Sequence, residues 1–482
     1  MSASAILLAC FLSAFALPGA AQGTKLWTQT RADELEKGTP EGVAITSDGK
    51  LTSSPTATEL LTTPSSFVWS VVQDKAGTVY VATGSPATVL KINSGKTGDS
   101  RFTKLFETKA LAVQALALGP DGALYAATMP DGKIYRLKTD VAKPVDELTA
   151  EVVLDLAKLD SAKAETKKSA KSDPDKSDDK TEAKPTEAKS RYIWDLTFDP
   201  SGRLYAATGA PGAVYRLKVS EKQPVPELFF KTDEQHIRVL AWDKAGNLLA
   251  GTDGSGLVYR ISPDGKGYVL FSAPRREVTA LAIAPDGVIY EADAGDKSRN
   301  PLPPLAVQSG NAGITISFVQ PGSMQAANAS AALPDGSEIY ALKPDQAPRK
   351  IWSDKDDIVY RLAMANGKIT ALTGNRGRIF SIDPDGTFAD LAHLDAQQAV
   401  SMAATTDGWL VGTANTGRLY RLSGGGQPEA HSYASDVLDA GTFSRWGRLE
   451  VEPGSRGYRF FTRSGNVEQP ARSARDWGWS DW

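Results

Sequence analysis

One stretch recurs along this chain and constrains everything else about it. Its clearest copy, residues 191–217, reads RYIWDLTFDPSGRLYAATGAPGAVYRL. An apolar run from Ile193 to Phe198 meets a turn of Asp199, Pro200, Ser201 and Gly202, and a second run, Arg203 to Thr208, follows. A Gly-Ala-Pro-Gly turn then leads to a third run, Ala213 to Leu217. In such turns Pro fixes φ, Gly accepts positive φ and Asp bonds nearby backbone. Between the turns lie the β-branched, aromatic and alternating residues that suit a pleated strand. The cassette is therefore three antiparallel strands.

The same cassette returns at 67–92, 112–137, 237–261, 358–382 and 399–422, and at 277–293 completed by 338–342, which makes seven copies. Taking Gly77, Gly122, Gly202, Gly246, Gly287, Gly367 and Gly408 as a ruler, four spacings fall at about 41 to 45 residues. Two are about 80, each carrying an insertion. After most copies stands a further short apolar run, such as Lys104-Leu105-Phe106 or Lys350-Ile351-Trp352, that supplies a fourth strand. Four strands repeating at this period are the signature of a β-propeller. The fold class expected is all-β, a seven-bladed β-propeller of four-stranded blades over residues 57–425, with a partial β-sandwich after it.

Glu59-Leu60-Leu61 precedes the first cassette and resembles the fourth strands. Pairing it with the last cassette would close the ring and remove exposed sheet edges. The alternative closing strand is near residues 430–434; the N-terminal one is preferred. Val43–Thr46 and Leu51–Ser53, around Ser47-Asp48-Gly49, read as a hairpin within an N-terminal extension, 22–56. Residues 5–17 form a short apolar run ending in Pro18, Gly19, Ala20 and Ala21, too short to span a bilayer and suited to a signal peptide over 1–21. A periplasmic or secreted protein with no membrane-spanning segment once processed is expected, without a lipid anchor on Cys10. Removal of that segment would leave no Cys, hence no disulfide or thiol nucleophile.

Two insertions and the tail interrupt the repeat. Residues 158–190 are Lys, Asp, Glu, Ala, Ser, Thr and Pro with almost no large apolar side chain, and cannot offset their ordering entropy. A disordered loop is expected there, and another long loop over 294–335. After Gly424 the character changes: strand-like runs at 447–452 and 458–463 sit among Trp446, Trp477, Trp479 and Trp482. This resembles the start of a fibronectin- or carbohydrate-binding-type β-sandwich over 432–482, too short for a full sandwich core. The formal net charge of −3 gives no basic field for nucleic acid.

The cassettes resemble propellers of exported bacterial proteins, of the NHL, gluconolactonase-like and two-component-regulator types. The resemblance rests on Asp199–Thr208 with Gly212–Leu217, and on Asp243–Thr252 with Gly256–Ile261. It covers about residues 57–425 and implies the fold. It implies little about function, because propellers host binding, signalling and catalysis alike. The Trp-Asp pairs at 194–195 and 242–243 lie on or just after a first strand, unlike WD repeats, and neither a sialidase Asp-box nor a quinoprotein docking motif is complete.

Propeller sites form where the innermost strands surround the channel. Aligning the first strands places Trp69, Gln114, Trp194, Arg238, Thr279, Tyr360 and Ser401 in one ring. The neighbouring register holds Asp195 and Arg361, with Ser70, Ala115, Val239, Ala280 and Met402. The first ring mixes aromatic and polar groups while its flanks are monotonously aliphatic, a composition that can stack and orient a ligand. The function expected is a non-catalytic binding or interaction module, monomeric, with a protein or carbohydrate partner. The alternative is a calcium-dependent lactonase- or lyase-like enzyme, which the resemblance to lactonase-like propellers implies and which needs oxygen ligands in the channel. Asp195 is the one acid in either ring; Glu277, Asp293 and Asp357 share no register with it, and the acid-rich run Glu291–Asp296 reads as an ordinary turn. No cofactor motif is present, no metal ligand set is assignable, and His236, His393 and His431 are scattered. The repeated Tyr-Arg-Leu (135–137, 215–217, 420–422) reads as scaffold, because it recurs around the ring.

Overall fold

In the computed structural model, residues 26–93, 95–96, 98–140, 143–159, 191–221, 223–297, 336–424, 431–441, 444–451, 458–465 and 480 are described. They divide into two units, one ending at Asp436 and one starting at Val437.

Seven four-stranded antiparallel blades make up the first unit. The third blade is typical: Tyr192–Phe198, Leu204–Gly209, Ala213–Leu217 and Glu227–Lys231, each paired with the one before. The turns work as their residues require. Asp199 accepts the backbone N–H of Arg203 and the hydroxyls of Ser201 and Tyr205. Asp74 and Asp121 hold their own turns and bond Tyr80 and Tyr125 in the same way. In the third strands, Tyr135 and Leu137 pack into an apolar cluster while Arg136 pairs with Asp121 at 2.5 Å. The Tyr-Arg-Leu motif is structural.

The innermost strand of each blade touches that of the next, and the seventh touches the first, so the ring is closed. Seams between blades are apolar: Val71, Val81, Leu410 and Leu419 pack together between the seventh and first blades. Burying one such side chain stabilises by about 1.5–3 kcal/mol.

Closure comes from the N-terminal side. Thr56–Thr62 pairs antiparallel with Arg418–Ser423 as the outer strand of the seventh blade. The hairpin forms with the expected bounds, and Ile45 and Thr46 extend the sixth blade by pairing with Asp390 and Ala389. Thr39–Glu41 pairs with Ser432–Ala434, so the first residues assigned to the C-terminal module belong to the propeller unit.

Other expectations change. The two strand-like runs after residue 446 form no strand among their described residues, and the β-sandwich is not found there. Trp446 is exposed, while Trp477, Trp479 and Trp482 lie outside the described residues. Glu291–Ala294 is strand rather than turn, within Ile289–Ala294. The signal-peptide segment, residues 160–190 of the first insertion and 298–335 of the second also lie outside the described residues.

Candidate ligand site at the channel mouth

Each first strand carries a β-bulge near its start, and the bulged residue is the one the ring alignment selects. Pairing with the second strand skips Trp69, Gln114, Trp194, Arg238, Thr279 and Tyr360 in the first six blades. A bulge leaves one residue unpaired and re-aims its side chain. All six are part-exposed. In the seventh blade the bulged residue is Val400, not Ser401. The reason is where the turn glycine falls: Gly408 opens the second strand and pairs with Thr405, whereas in the equally short turn of the sixth blade Gly367 precedes Lys368, which pairs with Ala365. Ser401 belongs with Ser70, Asp195 and Arg361 in the next register, and Met402 leaves it.

That second register ties blades together. The Ser70 hydroxyl accepts the Leu116 N–H, Ser401 donates to the Val68 carbonyl, and Asp195 accepts the N–H of Leu240. Each partner is on the following blade. The other Asp195 oxygen accepts the N–H of Leu196, so both are committed to backbone. Burial pushes the Asp195 carboxyl above its ordinary range, opposed by the Arg361 charge. Those two residues lie on the third and sixth blades, across the channel.

The bulge register and the residues that begin each first strand form a connected cluster. Tyr192 stacks on Trp194 at 5.2 Å, and the Arg238 guanidinium lies 3.7 Å over the Trp194 ring. Trp194 Nε1 donates to His236 Nδ1 at 3.1 Å, and Arg238 Nε donates to Glu277 at 2.6 Å. Burial holds the His236 imidazole below its ordinary value, which keeps Nδ1 an acceptor. Burial also raises the Tyr360 phenol, with Glu277 adding to the rise, and its hydroxyl accepts from Gln398. On the first blade Phe67 stacks on Trp69 at 4.9 Å with rings 6° apart. Thr279 spends its hydroxyl on the Ala292 carbonyl.

Glycines seat the aromatics. A Cβ at Gly84 would stand 2.6 Å from Trp69 Nε1, and one at Gly374 2.6 Å from the Tyr360 ring. At Gly209 it would stand 1.8 Å from His236 Nδ1 and 2.6 Å from Trp194 Nε1. These glycines end or follow the second strands of the three blades whose bulged residue is aromatic. The other four blades have Met129, Asp253, Ala294 and Ala414 there. That pairing was legible in the sequence and is the signal that sequence reasoning missed, together with His236 and Tyr192.

Among the described residues, no three of His, Cys, Asp or Glu gather as a metal-binding group. Asp293 is buried in the fifth blade, where it accepts the Arg275 N–H, and Asp357 is buried against Arg378.

The virginiamycin B lyase of Staphylococcus aureus superposes with a TM-score of 0.50 at 9% identity, over 76% of this chain and 98% of that one. A streptogramin B lyase gives 0.50 at 11% identity, over 77% and 98%. The fold is a β-propeller. Identities this low extend to fold alone. No family model matches the chain, and no curated protein matches it in sequence.

Proposed function

We propose that this protein is an exported, non-catalytic binding module that holds a small ligand at the channel mouth. The observation that carries this reading is the set of aromatic side chains seated over glycines, at Trp69, Trp194 and Tyr360. A fold that only had to close would fill those positions with aliphatic side chains, as it fills the seams. Aromatic faces with a few placed polar groups are the usual furniture of a small-molecule site. Trp69 is the platform: Trp194 is stacked by both Tyr192 and Arg238, whereas Trp69 has one stacking partner among the described residues. A thermal-shift screen of soluble sugars and small organic compounds against the mature chain tests this. A hit should lose its shift in Trp69→Ala; hits that survive both Trp69→Ala and Trp194→Ala would move the site elsewhere.

The solved lyases of similar fold keep an enzyme reading in view. It is disfavoured here because the two channel acids are already used, Asp195 on two backbone amides and Glu277 on Arg238. A calcium site would show as a rise in melting temperature between EDTA and millimolar calcium, since a ligand at a hundredfold its Kd stabilises by about 2.7 kcal/mol. No shift is expected.

A further inference from the structure

Arg361 stands apart from the other arginines near the channel. Arg238 is matched by Glu277 at 2.6 Å, and Arg276 by Asp253 at 3.0 Å. The Arg361 guanidinium has no hydrogen bond and no ion pair among the described residues. It is only part-exposed, so water does not fully replace a partner. The nearest candidate acceptor by charge, Asp195, has both oxygens on backbone N–H groups at 2.9 Å. A guanidinium offers five donors in a planar fork that fits an oxyanion.

Its place in the layers gives the ligand a direction. Arg361 follows Tyr360 in the sixth blade, one register on from the aromatic ring, while Trp69 and Gln114 occupy that ring on the first and second blades. The Gln114 amide is also without a hydrogen bond among the described residues. At the mouth, Arg238 and Glu277 cancel, so the first surface a ligand meets is neutral and aromatic. In the next register stands Arg361, without an ion pair among the described residues.

We infer that the ligand is an organic oxyanion, its ring seated on Trp69 and its carboxylate or phosphate group taken by Arg361. The inference rests on the binding reading above and adds the ligand's charge and orientation.

Matched probes separate charge from ring. Phenylacetate, phenyl phosphate and neutral 2-phenylethanol are titrated by calorimetry or saturation-transfer NMR into wild type, Arg361→Gln and Trp69→Ala. Both anions should bind at least about tenfold tighter than the alcohol, the scale of a charge-assisted hydrogen-bonded pair. Arg361→Gln should erase that gap with the melting temperature unchanged, and Trp69→Ala should weaken all three. A preference for only one anion names the source of the oxyanion. Equal binding of anions and alcohol, or a gap that survives Arg361→Gln, overturns the inference but leaves the mouth as a binding site. Absence of saturable binding by all three at millimolar concentration overturns the inference, and a failed thermal-shift screen would then overturn the site as well.

Discussion

A glycine fixes the channel mouth more firmly than any of the aromatics it carries. Any side chain at position 209 must displace His236 or Trp194, because a Cβ would come within 1.8 Å and 2.6 Å of their ring nitrogens. Overpacking of this kind costs about 1–3 kcal/mol. Gly209→Ala is therefore expected to lower the urea midpoint and to disturb the Trp fluorescence of the mouth; an unchanged emission spectrum would contradict the seating. His236 gives that seat a pH limit. Its folded pKa lies below the ordinary value, so its stability contribution is complete above about pH 6.5 and is lost as pH falls towards the folded value. Arg378 holds a different kind of position. It is buried with Asp357 and Asp390, at 3.1 and 2.8 Å, and reaches Glu36 at 3.1 Å. Arg378→Ala would leave the buried Asp357 carboxylate unpaired and Asp390 with His393 alone, and should cost about 3–5 kcal/mol by chemical denaturation.

The fifth blade breaks the pattern of its neighbours. Where other blades have Val81, Ala126, Ala206 or Ala250 in the second strand it has Glu291, fully buried, with neither carboxylate oxygen hydrogen-bonded. Two residues on, where six blades have a buried Thr, it has Asp293. Burial raises both carboxyls, and they act on each other; Asp293 is pushed up to about 6, with Glu338 adding and Arg275 opposing. Tyr340 lies opposite Glu291 on the third strand. Folded values above the unfolded ones mean that the contribution of these two groups to stability is fully present in acid. It declines as pH rises from about 4, through about 6 for Asp293 and further for Glu291. Each proton released on unfolding changes the unfolding constant by about tenfold per pH unit. Glu291→Val, which restores the residue found in the first blade, should raise the melting temperature and flatten the decline between about pH 5 and 8. An identical pH profile in wild type and variant would show that Glu291 does not drive it.

At the largest scale the propeller unit is a ring fastened by its own N-terminal segment. Thr56–Thr62 completes the seventh blade, the 43–53 hairpin extends the sixth, and Thr39–Glu41 pairs with the strand that follows the last blade. Removing residues through Thr62 would expose the edge of Arg418–Ser423, and open edges recruit other chains. Such a truncation is expected to melt lower and to aggregate, by light scattering, where the full chain stays dispersed. Equal solubility and melting temperature would mean that the ring does not depend on this strand.

The sequence by itself determined the blades. Asp-Pro-Ser-Gly at 199–202 and the alternation before and after it are local instructions, and repeating them seven times leaves a closed propeller as the way to bury every seam. It also determined most of the channel ring, because Trp69, Trp194 and Tyr360 stand out against aliphatic neighbours. Only the tertiary structure decided which residues are bulged. A bulge depends on how two strands pair: in the seventh blade Gly408 is the first residue of the second strand, which puts Val400 in the ring and Ser401 out of it. The tertiary structure also decided that Asp195 is spent on backbone and that Arg361 has no such bond among the described residues. Whether a polar group is satisfied depends on what the neighbouring blade presents, and no run of residues within one blade contains that information.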